Sequence, residues 1–323
     1  MCAIFGLIDY GKAFTAQQRE IIMNTLAREC EIRGTDATGF AYNRTDKMAI
    51  YKRPLPARFV HVKLPNEANV ILGHTRMATQ GNASFNPNNH PFLGRINGED
   101  FALAHNGILR NDDELAKSEN LPQTKIQTDS YVAVQLLEQY KELSLETISA
   151  VSEKIDGTFV FTLLNRQNNS YFVRGDNPLS LLHCPKYKFY IYASTKDILQ
   201  SALEELGFKK FQYDEVKTEC GDILKIDNQG EIERTTFDTY LLDRREFLGY
   251  YRWWDDYYED EPNSIYIRQL KEFANTVGVA PDDIDLLLEY GYTVDEIEDL
   301  LYTPGGLETV LSMLYGEYYY EEW

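Results

Sequence analysis

The 323-residue sequence is poor in the residues that cross-link small proteins or hold metals. It contains four cysteines and five histidines, with no cysteine pair spaced as CxxC and no histidine pair spaced as HxxxH. Such spacings mark disulfide frameworks and zinc sites. We therefore expect reduced thiols, no metal and no other cofactor.

Long apolar runs and a basic surface are also missing. No window approaches the roughly 18 apolar residues of a membrane-spanning helix, and the start lacks the basic and apolar regions of a signal peptide. These absences predict a cytoplasmic protein that does not enter a membrane. The formal charge is −19, and residues 255–323 hold eighteen Asp or Glu against two basic residues. This balance argues against binding to nucleic acid or to an anionic membrane.

Apolar patterning divides the chain into three parts. Residues 2–240 show strand-like stretches, then a helical block over 128–155, then strands again, which predicts an α+β domain with two sheets between helical layers. Residues 241–263 are aromatic and acidic without periodicity, as in a linker or strap. Residues 264–323 hold short helix candidates separated by Gly and Pro, which predicts a small acidic helical bundle.

Cys2 stands at the head of the apolar run MCAIFGLI, which predicts a buried strand. Taken alone, the residue is typical of a small buried hydrophobe. A small second residue normally permits removal of Met1, and Cys2 would then carry both a thiol and a free α-amine. Because an α-amine has a pKa of about 7.7–8.0, one residue would hold a nucleophile and its base.

Four further stretches are RGTDATGFA, GHTRMATQGNASFNPNNHPF, LAHNGILRN and QTDSYVAV. Each alone also fits a loop, a turn or a helix N-cap. Together they hold the groups needed to hydrolyse the side-chain amide of a free amino acid. Arg76 can grip an α-carboxylate and Asp129 can pair with an α-ammonium. Asn106 and Gly107 offer a side-chain donor and a main-chain donor to a developing oxyanion.

These stretches resemble the motifs of the class II glutamine amidotransferases, a family with an N-terminal nucleophile (the Ntn-hydrolase type). MCAIFG is similar to Cys-Gly-Ile-Phe-Gly, RGTDATG to Arg-Gly-x-Asp-Ser-x-Gly, and GHTRMATQG…NNHPF to Gly-His-Thr-Arg-Trp-Ala-Thr-His-Gly…Asn-x-His-Pro. HNGI and TDS match the family's oxyanion and helix-start motifs, and the order and approximate spacing agree. The resemblance implies a four-layer αββα sandwich of two antiparallel sheets over residues 2–240.

The resemblance also implies a role for each matching residue. Cys2 would be the nucleophile and, through its amine, the base. Asn106 and Gly107 would form the oxyanion hole, and Arg33 would organise the site near the thiol. L-glutamine would be bound by Arg76 and Asp129 and covered by a loop to which Met77, Thr79, Gln80 and His90 belong. Met77 and Gln80 replace the tryptophan and histidine of the family pattern at the gate of this loop.

The expected reaction is hydrolysis of glutamine to glutamate and ammonia through a Cys2 thioester. Because no stretch after residue 240 resembles a sugar isomerase, a phosphoribosyltransferase or an ATP-dependent synthetase, we expect a separate protein to accept the ammonia, or the ammonia to be released. Two alternatives stay open: an amidase of the same fold acting on another amide, and a non-catalytic interaction protein that uses the acidic bundle. The sequence leaves the oligomeric state open.

Overall fold

The computed structural model describes residues 2–242 and, beyond them, residues 267, 270–271, 274–275, 278–293, 296–297, 300–301 and 306–318. The chain divides into two compact units, Met1–Tyr251 and Arg252–Trp323. The predicted linker at 241–263 falls outside the described residues except for its first two, as do large parts of the helix candidates at 264–277 and 293–301.

The first unit is built from strands and helices that alternate as the sequence predicts. Its strands are β1 (Ala3–Ile8), β2 (Ala37–Asn43), β3 (Met48–Arg53), β4 (Val70–Arg76), β5 (Phe92–Ile96), β6 (Glu99–Leu109), β7 (Gly157–Asn165), β8 (Ser170–Arg174), β9 (Ser180–Cys184), β10 (Phe189–Ala193), β11 (Asp214–Glu215), β12 (Asp222–Ile226) and β13 (Ile232–Thr236). Its helices are α1 (Ala16–Glu29), α2 (Asp112–Ser118), α3 (Tyr131–Glu138), α4 (Leu145–Ser152) and α5 (Lys196–Glu205).

The strands form two antiparallel sheets. The first has the order β11-β9-β10-β1-β4-β2-β3 and the second the order β13-β12-β8-β7-β6-β5. Strand β1 lies in the middle of the first sheet, with β10 on one edge and β4 on the other. The residue that precedes β1 is therefore held by the centre of the sheet.

Side chains of β1 alternate between two apolar cores, which explains its unbroken hydrophobic run. Phe5 and Leu7 pack with residues of α1 and α5, whereas Ile4 and Ile8 pack with residues of the second sheet. All four side chains are fully buried, and each contributes about 1.5–3 kcal/mol of hydrophobic free energy. A central strand with both faces covered needs no polar alternation.

A third core lies on the outer face of the second sheet. There Phe161 and Leu163 of β7 pack with Val134 and Leu137 of α3 and with Ile148 of α4. The layers therefore run helix, sheet, sheet, helix, and the predicted αββα sandwich of two antiparallel sheets is confirmed.

The second unit contains helices α6 (Pro281–Glu289) and α7 (Gly306–Tyr318). Helix α6 has Pro281 in its first turn together with Asp282 and Asp283, where acidic charge favours the helix dipole. The described residues of the second unit share a small apolar core: Leu270, Ala274, Ile284, Leu287, Ile297, Leu307, Leu311 and Leu314. The bundle as a separate acidic appendage stays a prediction. Over the described parts of both units, no helix combines the length and the apolar character needed to cross a bilayer.

Candidate active site

The stretches selected from the sequence meet at one edge of the sandwich. Strand β1 starts there, with Ala3 opposite Thr75 near the end of β4. The His74 ring is 2.9 Å from the main-chain oxygen of His105, a contact that joins β4 of the first sheet to β6 of the second. The starts and ends of these strands therefore surround one small region.

Cys2 occupies this region, immediately before β1. Its thiol is partly buried and donates to the main-chain oxygen of Met77, 3.4 Å from Sγ. Arg33 is buried and donates from Nε to the main-chain oxygen of Cys2 at 3.1 Å. Gly34 allows this arrangement, because a Cβ there would lie 2.6 Å from the Met77 nitrogen. The structure thus brings together three predicted site residues.

The electrostatic surroundings of Cys2 keep its sulfur protonated at rest. Burial raises the pKa of the thiol above its usual value, and the carboxylate of Asp129 acts in the same direction. The positive charge of the amino terminus, the hydrogen bond to Met77 and the positive charge of Arg76 oppose this rise in pKa without cancelling it. The thiol therefore needs a base before it can act as a nucleophile.

Arg76 ends β4 and is only 2% exposed. Its Nη1 donates to the side-chain oxygen of Asn89 at 2.8 Å, and its Nη2 donates to the main-chain oxygens of Gln80 and Gly81. The guanidinium thus holds both ends of the loop that follows β4. The predicted grip of the same guanidinium on a substrate carboxylate stays a prediction beside this anchoring role.

Asn88 and Asn89 complete the attachment of that loop. The Nδ2 group of Asn89 donates to the Ala83 oxygen at 2.8 Å. The Oδ1 atom of Asn88 accepts from the Gln127 main-chain nitrogen at 2.9 Å, and its main-chain oxygen accepts from Thr128. Both asparagines are fully buried. The NNHPF motif therefore fixes the loop through its asparagines.

Asn106 and Gly107 lie within β6, which continues past them to Leu109 and pairs with β7. Asn106 is fully buried, and neither its Nδ2 nor its Oδ1 has a hydrogen-bond partner among the described residues. Gly107 has φ +141°, which favours glycine. A buried amide without a partner costs about 1–3 kcal/mol, which marks it as a group held for another purpose.

Asp129 is 4% exposed and lies just before helix α3. Its Oδ2 accepts from the main-chain nitrogen of Leu109 at 2.6 Å, and its Oδ1 accepts from the Ser130 hydroxyl at 3.1 Å. The carboxylate thus joins the end of β6 to the start of α3. It is close enough to Cys2 and Arg76 to affect the pKa of both.

Comparison with known proteins agrees with this geometry. Residues 74–201 match the family model of a glutamine amidotransferase domain. The glutamine–fructose-6-phosphate aminotransferase [isomerizing] of Clostridium perfringens (strain 13 / Type A) is 27% identical over 308 residues, which cover 92% of this chain and 48% of that protein. The enzyme of the same name from Staphylococcus aureus (strain Mu50) is 32% identical over 191 residues, covering 56% and 30%.

A solved structure shares the fold. The glutamine phosphoribosylpyrophosphate amidotransferase from B. subtilis, complexed with ADP and GMP, superposes with a TM-score of 0.57 at 22% identity, covering 73% of this chain and 49% of that one. The chain contains a glutamine amidotransferase domain, and these matches support its resemblance to the class II family. The chain spans about half, or less, of the length of the curated relatives it matches.

The predicted substrate loop of the amidotransferase is only partly surface-exposed. Thr79 and Gln80 are exposed, and Gln80 Nε2 donates to Asp112 at 3.4 Å. Met77 is half-buried and presents its main-chain oxygen to the thiol. Residues 79–80 are thus on the surface, and their closure over substrate stays a prediction, while Met77 is part of the wall around Cys2.

His90 lies at the end of that loop and is buried, and its part in covering the substrate stays a prediction. It is 3% exposed, with its ring 4.3 Å from the rings of His74 and Phe92, and both its nitrogens lack a partner among the described residues. Burial lowers the pKa of His74 to about 3 and that of His90 well below its usual value. His90 is therefore a neutral interior residue, because its apolar surroundings disfavour the charged ring.

Lys52 is a residue of this region that the sequence does not single out. Its Nζ donates to the main-chain oxygen of Asn89, and to those of Pro91 at 3.3 Å and Pro87 at 3.4 Å. Burial, with a smaller contribution from Arg76, lowers the pKa of this amine to about 8. A lysine at the solvent edge of a short strand carries no local signal of such contacts.

Proposed function

We propose that this amidotransferase hydrolyses L-glutamine, with Cys2 as the N-terminal residue of the mature chain. Two contacts support the proposal, because the thiol lies against Met77 and Arg33 holds the Cys2 carbonyl, and the charges of Arg76 and Asp129 are near enough to affect the pKa of the thiol. The observation that carries it is the buried side-chain amide of Asn106 at the same edge of the sandwich, which has no hydrogen-bond partner within the described part of the chain.

The proposed reaction starts with the free α-amine of Cys2, which removes the thiol proton. The thiolate forms a bond to the side-chain carbonyl carbon of glutamine, and the carbonyl electrons move to oxygen. The Asn106 amide and the Gly107 N–H donate to that oxyanion. Collapse of the intermediate breaks the carbon–nitrogen bond, and the departing nitrogen takes the proton from the Cys2 ammonium and leaves as ammonia.

The second half of the reaction uses water in place of the thiol. The free amine takes a proton from water, which attacks the thioester carbonyl. The carbon–sulfur bond then breaks, glutamate leaves, and the proton returns to sulfur. Base and nucleophile thus come from one residue.

Activity and covalent labelling together test this proposal. Mature protein lacking Met1 is incubated with glutamine, and glutamate and ammonia are measured. Intact mass is recorded after treatment with a diazoketone analogue of glutamine. We expect turnover and one adduct on Cys2. Cys2→Ala should lose both, whereas Cys220→Ser, which removes an exposed thiol, should keep both. A labelled protein without turnover, or turnover in Cys2→Ala, would contradict the proposal.

We further propose that the ammonia reaches an acceptor on a separate protein. The match to the glutamine amidotransferase family model, over residues 74–201, lies within the first unit. An isotope experiment distinguishes direct transfer from release into solvent. Glutamine labelled with ¹⁵N in its amide is supplied together with a candidate acceptor enzyme and excess unlabelled ammonium. Protected transfer keeps the label in the acceptor's product, whereas release into solvent dilutes it.

A second candidate is hydrolysis of another amide by the same thiol. It is favoured by the contacts of Arg76 and Asp129, whose side chains already bind Asn89, Gln80 and Leu109. A panel of amides, including N-acylated glutamine and glutamine methyl ester, tests it. Faster turnover of a derivative that lacks a free carboxylate or a free ammonium would favour this candidate over glutamine.

A further inference from the structure

The oxyanion donors of the proposed reaction depend on the direction of one peptide group. Gly107 follows Asn106, so the Gly107 N–H and the Asn106 carbonyl belong to the same planar unit and point in opposite directions. Whatever holds the Asn106 oxygen therefore sets the direction of the Gly107 N–H. The side chain of Asn177 contacts that oxygen, with Nδ2 donating to it at 3.0 Å.

This peptide departs from regular strand geometry and needs such a support. Antiparallel strands have φ near −140°, whereas Gly107 has φ +141°. Its surroundings are also tight, because a Cβ on Gly107 would lie 2.0 Å from the oxygen of Thr158 and 2.7 Å from Nδ2 of Asn177. Asn177 therefore closes directly over the peptide, at a point where the strand conformation alone does not fix it.

Asn177 is itself firmly placed. It lies in the loop after β8, and that loop is anchored on β7 at two points. Gly175 N–H donates to the Phe159 oxygen at 3.1 Å, and Phe159 N–H donates to the carboxylate of Asp176 at 3.0 Å. From this anchor the loop passes the start of β7 and reaches β6, the next strand of the sheet. Asn177 is 9% exposed, so water competes little for its bond to Asn106.

We propose that Asn177 is a positioning residue of the oxyanion hole, which fixes the Asn106–Gly107 peptide so that its N–H faces the reacting carbonyl. The inference rests on the proposed acyl-transfer function of Cys2. Asn177 touches neither the thiol nor the substrate in this scheme. Its removal should slow steps that build an oxyanion and spare steps that do not.

The test compares two reactions of the same thiol. A p-nitrophenyl ester acylates Cys2 through an oxyanion intermediate, whereas iodoacetamide alkylates Cys2 by displacement without one. In mature Asn177→Ala and Asn177→Asp, we expect acylation to slow by about tenfold to hundredfold, less than the 10²–10³ for loss of a direct donor. Alkylation should stay within about twofold of wild type. Glutamine turnover should show the same loss in kcat, with KM within about threefold.

Asn43→Ala is the matched control. Asn43 is also buried and also donates from Nδ2 to a main-chain oxygen, that of Asn165 at 2.7 Å, at the far end of β7. It should destabilise the fold while leaving the ratio of acylation to alkylation unchanged. Asn177→Asp keeps the size of the side chain, so it remains informative where the alanine variant folds poorly.

The outcomes separate this inference from the proposed function. Equal loss of acylation and alkylation in the Asn177 variants, or no loss of acylation, would overturn the inference whatever the wild type does with glutamine. A wild type that is inert toward glutamine, combined with selective loss of acylation in the variants, would refute the glutaminase proposal and support the role of Asn177.

Discussion

Arg76 and Asn89 are joined by a 2.8 Å hydrogen bond from Nη1 to the side-chain oxygen, and both residues are buried. Lys52 holds the main-chain oxygen of the same asparagine. Two cations thus converge on one residue of the loop that borders Cys2. In this structure the guanidinium predicted to bind substrate is also the anchor of that loop.

Arg76→Lys tests this double role. A lysine keeps the charge but loses the planar fork that reaches Asn89 and Gln80 together. We expect the loop at residues 77–89 to become sensitive to protease and kcat/KM for glutamine to fall about 10–100-fold, mostly through KM. Limited proteolysis and steady-state kinetics measure the two effects. Arg95→Lys, at an exposed pair with Asp100, is the control and should change neither; an unchanged loop in Arg76→Lys would contradict the anchoring role.

Asn106→Leu should change stability and activity in opposite directions. The substitution removes a buried amide that lacks partners among the described residues, so the free energy of unfolding should stay level or rise by about 1 kcal/mol. Loss of an oxyanion donor should lower kcat about 10²–10³-fold. Urea denaturation and glutaminase assays measure both. Asn43→Leu, which breaks a satisfied bond, should destabilise instead; strong destabilisation by Asn106→Leu would show that the amide supports the fold.

The buried histidines predict a loss of stability in acid. An unfolded histidine has a pKa of about 6.5, whereas burial lowers that of His74 to about 3. Between these values the unfolded chain binds protons that the folded chain does not, so stability is complete above about pH 6.5 and is lost as the pH falls toward 3. In that window each such histidine lowers the free energy of unfolding by about 1.4 kcal/mol for every unit by which the pH falls.

His90→Leu isolates one of these protons. The leucine has a similar size and should pack against Phe92, whose ring lies 4.3 Å from that of His90. Urea denaturation at pH 7, 6 and 5 should show a shallower loss of stability than in wild type, by about 1.4 kcal/mol per pH unit below pH 6. Parallel slopes in the two proteins would mean that His90 is protonated in the folded state.

Asp9→Ala should destabilise the first unit without impairing catalysis. Asp9 and Arg19 form a buried ion pair at 3.2 Å, at the end of β1 away from Cys2. Removing the carboxylate leaves a buried guanidinium without its counter-charge, which typically costs about 3–5 kcal/mol. Urea denaturation measures this loss, and kcat of the folded variant should stay within twofold. The double variant Asp9→Ala/Arg19→Met should recover part of the stability.

The sequence predicts this fold well where a local pattern matches a tertiary role. The unbroken apolar run after Cys2 predicts a strand with two covered faces, and β1 is one. Strand β11, by contrast, is only two residues long, with Asp214 opposite His183 and Glu215 opposite Leu182 of β9. The residue pattern favours an extended backbone, but a strand forms only where that backbone pairs with a neighbouring strand.

Long-range contacts account for what the sequence does not predict at the site. Asn177 precedes a proline and looks like an ordinary turn residue, yet it reaches Asn106, 71 positions away. Lys52 looks like a solvated strand residue, yet it donates to three loop carbonyls. The sequence around neither residue indicates these contacts, because each partner is distant in the chain and comes close only when the sheets assemble.

The central position of β1 in the first sheet determines how the active site loses its structure. The Ile4 amide is buried and donates to the Ser194 hydroxyl at 2.9 Å, between two neighbouring strands and two apolar cores. Amides so placed exchange with deuterium only when the whole cooperative unit opens. Exposure of the Ile4 amide therefore requires the sheet around the start of β1 to open. Deuterium uptake at Ile4 therefore reports the lifetime of the assembled active site, and its rate should match the rate of irreversible inactivation.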